Sequence, residues 1–290
     1  MPKILAIGIG LVDIYKSQKM MYPGGNEYNI SYYIRELGGE SSFMGVFADD
    51  KVGEYIYLLL KEKGVDISHS RFEQGSSGYA IVDLVKGNRL FLDWNKKGVT
   101  DLHPIQLNQE DLKYVKQHDI ICISNASRLK LSDYKTLFLS GIPICYDFSD
   151  SFTEENIRDI CPLLYFSFFS CSHINDIEKV KQLLSYSVTL GSKYAIAMMG
   201  ECGSLAYDGN QYYACAAKKA TVVDTMGAGD SFIAAFILHW FCCLKSNVKV
   251  LLPDAMEKGA SFAGINIGRR GSLGVGYEVN PDELFRVLNI

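Results

Sequence analysis

Apolar residues fill positions 3–10 almost without interruption, and short apolar runs return at 120–124, 142–148, 164–170 and 194–199 with amphipathic stretches between them. Runs of this kind predict strands buried on both faces, and their alternation with helical periodicity predicts a parallel sheet flanked by helices. Helical stretches are expected from residue 26 through Leu37, closed by Gly38-Gly39, then at 52–63, 108–117, 232–244 and 255–268. The texture changes at 79–85 and 89–94, two β-rich segments around Gly87-Asn88, which reads as a hairpin. With strands near 16–22, this hairpin predicts a small β-sheet lid, residues 15–23 and 75–100, inserted in a single α/β domain spanning 1–290.

Composition adds exclusions. The 290 residues are 48% apolar and 21% charged with a net charge of −4, ordinary for a globular protein. No basic stripe is visible, so neither nucleic acid nor an anionic membrane is expected as a partner. The eight cysteines show no Cys-x-x-Cys spacing and mostly sit in apolar runs, which predicts buried thiols and a cytoplasmic protein. The segments at 4–12 and 232–244 are too short for a membrane-spanning helix.

Candidate chemistry concentrates in Asp224-Thr225-Met226-Gly227-Ala228-Gly229-Asp230-Ser231. It follows the β-branched run 221–223 and precedes the apolar stretch at 232–244, so it reads as a strand-to-helix turn. Small residues there aim backbone amides and the positive end of a helix at one point, a place for phosphate. Asp230 would repel phosphate unless it serves as a base for an attacking hydroxyl; the alternative is a plain helix cap.

Upstream, Gly8 and Gly10 begin a dinucleotide-like spacing, but Asp13 stands where its third glycine belongs. A carboxylate just past a strand end accepts hydroxyl hydrogen bonds, as a polyol offers. Asp147 and Asp230 are expected at the same rim as Asp13. Gly24, Gly25 and Asn29 open the next helix, Asn26 reads as loop or cap, and Asp49 as the cap of the helix at 52–63. Arg89 and Asp93 face either a ligand or solvent across the hairpin. Gly200 and Gly203 bracket a turn after the run at 194–199. The strings of P-loop NTPases and protein kinases are absent.

Asp-Thr-x-Gly-Ala-Gly-Asp resembles the C-terminal signature of the ribokinase-like (PfkB) carbohydrate kinases, and Gly-Gly-x-x-x-Asn their N-terminal one. The resemblance covers residues 13–271. It implies a three-layer α/β sandwich with a mostly parallel sheet and a β lid, which often pairs with a second copy to form a homodimer. It also implies ATP and Mg²⁺, with K⁺ beside Asp224 and Thr225. By resemblance Asp230 is the base, and Gly227, Ala228 and Gly229 form the anion hole. Asp13, Gly25 and Asn29 hold the sugar, and Gly200 and Gly203 lie against the nucleotide. Two departures stand out. Met198-Met199 replaces the usual Thr-Leu, and Asn175-Asp176-Ile177-Glu178 has the spelling of the family's Asn-x-x-Glu but lies past the strand end.

Narrower matches, among them Val12-Asp13-Ile14-Tyr15 and Asp147-Phe148-Ser149-Asp150, are similar to the fructoselysine 6-kinase branch, which phosphorylates the 6-hydroxyl of a glycated amine. Glu27, Asp93 and Asp150 are candidate partners for the amino-acid end of such a substrate. A kinase for another small sugar (ribose, fructose, fructose phosphate) or for a nucleoside, and a non-catalytic sugar-binding protein, are the alternatives.

Overall fold

A computed structural model describes residues 1–85 and 87–278, and in it the first apolar run divides between two sheets. β1 (Lys3–Ile7) stops at Gly8-Ile9-Gly10, and β2 (Leu11–Tyr15) begins a different sheet. A 3₁₀ turn (Lys16–Gln18) leads to β3 (Met20–Gly24), and α1 (Asn26–Glu36) follows. Next come β4 (Glu40–Met44), β5 (Val46–Ala48), α2 (Lys51–Lys63), β6 (Arg71–Glu73), the hairpin β7 (Gly78–Val85) and β8 (Asn88–Trp94), and α3 (Val99–Leu102). The next elements are α4 (Gln109–Val115), β9 (Ile120–Ser124), α5 (Leu131–Leu139), β10 (Ile144–Asp147), α6 (Glu154–Ile160) and β11 (Phe166–Ser170). Then come α7 (Ile177–Leu190), β12 (Tyr194–Met198), β13 (Ser204–Tyr207), β14 (Tyr212–Cys215), α8 (Ala228–Lys245), α9 (Leu252–Asn266) and β15 (Tyr277–Glu278).

The large sheet has eight strands in the order β14-β13-β12-β11-β10-β9-β1-β4, parallel from β12 through β4 and antiparallel at the β13 and β14 edge. Ile4, Ala6, Ile120, Cys122, Phe166 and Phe168 face α1, α8 and α9, while Leu5, Ile7, Ile121, Ile123, Tyr146 and Phe169 face α4 to α7. This alternation gives the expected three layers. β1 lies between β4 and β9, so the chain leaves it in one direction and returns on the other side. Such a reversal opens a crevice beyond the carboxyl ends of the strands.

Among the described residues, only α8 is long and apolar enough to cross a membrane. Its Phe236 and Trp240 pack edge-on against Phe166 of the sheet, at 5.2 and 5.1 Å between ring centroids, which accounts for its apolar character as a core helix.

The second sheet, β15-β3-β2-β7-β8, is the lid. Its N-terminal part starts at Leu11, not near residue 15, and residues 16–18 form a turn. The reason is burial. Val12, Asp13, Ile14 and Tyr15 are all buried, so β2 shows no alternation that would set it apart from β1. Asp13 therefore sits inside a lid strand, paired with Tyr22 and Ala80, and not past a strand of the main sheet. The hairpin itself lies where the pattern placed it, with a register shift between Ile81 and Val82.

Two local expectations are corrected. The cap of α2 is Asp50, whose Oδ1 accepts the Gly53 amide at 2.7 Å, while Asp49 accepts the Gly75 amide at 3.1 Å. Residues 221–223 form no strand: the amides of Val223 and Asp224 donate to the Ile267 carbonyl after α9, and that of Thr225 donates to Gly87 in the hairpin. This segment is held between a helix end and the lid.

Candidate active site

Asp230 lies in the first turn of α8 and is 8% exposed. Its Oδ2 accepts Asn29 Nδ2 at 2.8 Å and its Oδ1 accepts Asn26 Nδ2 at 3.2 Å. The Asn26 amide also donates to Asp147 Oδ2 at 3.1 Å, so one side chain at the start of α1 spans two carboxylates. Asp147 ends β10, and its Oδ1 takes the Ser149 amide at 2.8 Å. Asp13 reaches in from the lid, its carboxylate lying against Gly24, where any β-carbon would overlap it. Gly25, at φ +109°, turns the chain into α1 with its Cα against the Ile9 carbonyl, which forbids a side chain there.

Burial dominates the electrostatics. It pushes Asp230 up to about 8, Asp13 to about 7 and Asp147 to about 6, while Arg89 of β8 opposes the rise in all three. Asn29 also holds Asp230 down, and Asp147 and Glu27 hold it up. Arg89 stacks on Phe91 at 5.0 Å and touches the Met226 sulfur at 3.2 Å, which fixes the guanidinium over the start of the 226–230 loop.

That loop has the geometry of an anion cradle. Gly227 is the N-cap of α8 at φ +71°, and a β-carbon there would meet the Tyr33 hydroxyl and Ser272. The Ala228 amide closes a turn onto the Thr225 carbonyl at 3.2 Å. The amides of Gly229 and Asp230 have no carbonyl one helical turn back, so they point outward at the positive end of an 18-residue helix. An ideal β-carbon on Gly229 would lie 3.4 Å from Met198 Cε, which puts the end of β12 and the Gly200–Cys202 turn beside the cradle. Gly200 and Gly203 both have positive φ, at +59° and +88°.

Asp224 is fully buried and accepts from Tyr15 Oη at 2.7 Å, Met226 N at 2.9 Å and Gly271 N at 2.8 Å. Its side chain is committed to these three donors, which fits a structural brace and fits a K⁺ ligand poorly. Mg²⁺ needs no cage here. It typically stays hydrated and binds through one or two carboxylates plus substrate phosphates, and among the described residues no group of three ligating side chains forms a dedicated site.

The chain matches the model of the pfkB family carbohydrate kinases over residues 10–274. It belongs to that family. It is 32% identical to fructosamine kinase FrlD of Bacillus subtilis over 95% of this chain and 94% of that protein. To fructoselysine 6-kinase of Escherichia coli it is 30% identical, over 94% of this chain and 100% of that protein. Arabidopsis thaliana ribokinase, solved with ribose and ATP, shares its fold with a TM-score of 0.77 at 18% identity, covering 100% of this chain and 99% of that one. The chain is accordingly a carbohydrate kinase of ribokinase-like fold, a phosphotransferase acting on a hydroxyl group.

Within this kinase, Asp13, Gly24, Gly25, Asn29, Arg89 and Asp230 converge on one crevice. Asp93 does not. It pairs with Ile81, which pairs with Ile14, on the face of the lid opposite Asp13 and Tyr15, and its carboxylate accepts its neighbour's amide. Asp150 is exposed and bonded to Ser151. Asn175 and Glu178 are exposed at the start of α7, where Glu178 pairs with Lys181 at 2.7 Å. Asn26, read from sequence as loop or cap, is the residue most clearly missed. Its signal was position, one helical turn before Asn29 on the same face of α1.

Proposed function

We propose that this kinase phosphorylates the 6-hydroxyl of a fructosamine such as fructoselysine, with Asp230 as the general base. The observation carrying the mechanism is the orientation of Asp230 by Asn26 and Asn29 at the open N-terminus of α8. Asp13, Asn29 and the close-packed backbone of Gly24 and Gly25 hold the sugar and present the hydroxyl to Asp230. As the phosphoryl group departs from ATP, the outward-pointing amides of Gly229 and Asp230 at the Gly227-Ala228-Gly229 turn meet the charge it carries, and Arg89 adds a cation from the lid. Gly200, Gly203 and Thr225 line the nucleotide side. Mg²⁺, arriving on the nucleotide, supplies charge neutralisation at the phosphates. Nothing in this scheme calls for K⁺ at the Asp224 side chain.

Support for the fructosamine comes from what the relatives are named for and from the four carboxyls (Asp13, Glu27, Asp147, Asp230) gathered here, which burial drives toward the protonated form. A cationic amine on the acceptor favours their ionised form, and a neutral sugar does not. The protein is read as one domain with the lid inserted, acting in the cytoplasm. The lid edge β8 exposes Leu90, Leu92 and Trp94, which supports a homodimer through this sheet.

The test is ADP release with fructoselysine, other fructosamines, ribose, fructose, fructose phosphates and adenosine at fixed Mg²⁺. The highest kcat/KM is expected for a fructosamine, and turnover of adenosine alone would overturn the reading.

A further inference from the structure

We infer that Glu27 is the subsite for the protonated amine of the acceptor, the group by which this kinase tells an aminated ketose from a neutral one. The inference rests on the fructosamine reading above and assigns to one residue the choice of substrate within it.

Glu27 is the second residue of α1 and is completely buried. Its carboxyl lies across Gly8, where a β-carbon would overlap it, and so covers the carboxyl end of β1, near enough to Asp230 on one side and to Tyr134 and Tyr146 on the other to act on all three. Oε2 accepts the Ile9 amide at 3.3 Å, a long bond, and Oε1 has no partner at hydrogen-bonding geometry among the described residues, the Ser124 hydroxyl lying only near enough to act on the carboxyl as a whole. Buried carboxylates are normally paired with a cation or saturated with donors, and an orphaned oxygen of this kind marks a position that a ligand completes.

The surroundings sharpen the chemistry. The charged neighbour that acts on Glu27 is Asp147, of like sign, and Glu27 in turn acts on Asp230. Arg89 opposes the rise at Asp13, Asp147 and Asp230. Burial raises Glu27 to about 7, and the Ser124 hydroxyl and the backbone amides of Glu27 and Ile9 only partly offset it. Placement in the first turn of α1 favours a negative charge, but that benefit does not require burial. An ammonium brings both a positive charge and N–H donors, whereas a hydroxyl brings a donor alone. Asn26 and Glu27 are consecutive, so the segment that orients the base also reads the amine.

The test compares fructoselysine with the 1-O-alkyl ketose in which an ether oxygen replaces the amine, using wild type, Glu27→Gln and Glu27→Asp at saturating Mg²⁺ and ATP. Wild type is expected to show a KM for the amine at least about tenfold below that for the ether, the size of a charge-assisted hydrogen bond. Glu27→Gln should bring the KM ratio close to one, mainly by raising KM for the amine. Glu27→Asp, which keeps the charge on a shorter stem, should retain part of the preference. Melting curves establish that each variant is folded, and if Glu27→Gln fails to fold the decision passes to Glu27→Asp, whose undiminished preference would then count against the subsite. Undiminished preference in Glu27→Gln overturns the inference while leaving the fructosamine reading intact. A wild type that prefers the ether overturns both.

Discussion

The Tyr15 hydroxyl donates to the Asp224 carboxylate at 2.7 Å, tying the lid strand that carries Asp13 to the loop that opens α8. Tyr15 and Asp13 are two residues apart on β2 and share a face, so the strand is anchored close to Asp13. Loss of this bond leaves the Asp224 carboxylate buried without one of its three donors, a change of about 1.5–3 kcal/mol. Tyr15→Phe is therefore expected to lower the melting temperature and to weaken sugar and ATP together, roughly tenfold in each kcat/KM. An effect confined to the sugar would show that the lid and the loop are not mechanically joined.

Asp230→Asn keeps the shape of the side chain and removes the base. Turnover should fall by about a hundredfold to ten-thousandfold, with sugar affinity by calorimetry within a few-fold of wild type. Comparable losses in both would make Asp230 a binding residue instead.

Asn26 stabilises the ionised form of Asp147 and donates to Asp230. Without the donor both carboxyls hold their protons more tightly, so less of the base is available at a given pH. Asn26→Ala should move the acid limb of the kcat/KM profile for sugar to higher pH and reduce the rate near neutrality by about tenfold. An unshifted limb with a uniformly lower rate would assign Asn26 to packing.

The raised carboxyls make stability depend on pH in an unusual direction. Asp13 and Asp230 rise from an ordinary 3.8 to about 7 and about 8 on folding, mainly through burial. A group raised in this way favours the folded state below its unfolded value, and that contribution is lost as pH climbs through the folded one. The ligand-free protein should thus lose stability between about pH 4 and pH 8 on account of these groups. Asp230→Asn should melt a few degrees above wild type at pH 8.5 and close to it at pH 5. Melting curves at the two pH values decide the matter.

How much of this was legible in the sequence follows from where each residue's information lies. The turn at the start of α8 could be read because Gly227, Ala228, Gly229 and Asp230 are contiguous and Gly227, at φ +71°, answers to a backbone requirement. The parallel sheet could be read because its strands are continuously apolar. β2 was hidden for the same reason, since a strand buried on both faces looks like an extension of β1. The brace on Asp224 joins residues 209 positions apart, and nothing local in Tyr15 announces it. Asp93 matched expectation in type and misled in facing, because a register shift beside Ile81 decides which side of the lid it occupies. Asn175 and Glu178 carry a familiar spelling, and the structure puts them exposed at the start of α7 with Glu178 paired to Lys181.

Gly8-Ile9-Gly10 connects the main sheet to the lid in three residues, while the turn that opens α8 comes from a distant segment of the chain. That short link leaves little slack between the two sheets, so an inserted residue there would displace Asp13 relative to Asp230 without altering the α8 turn itself.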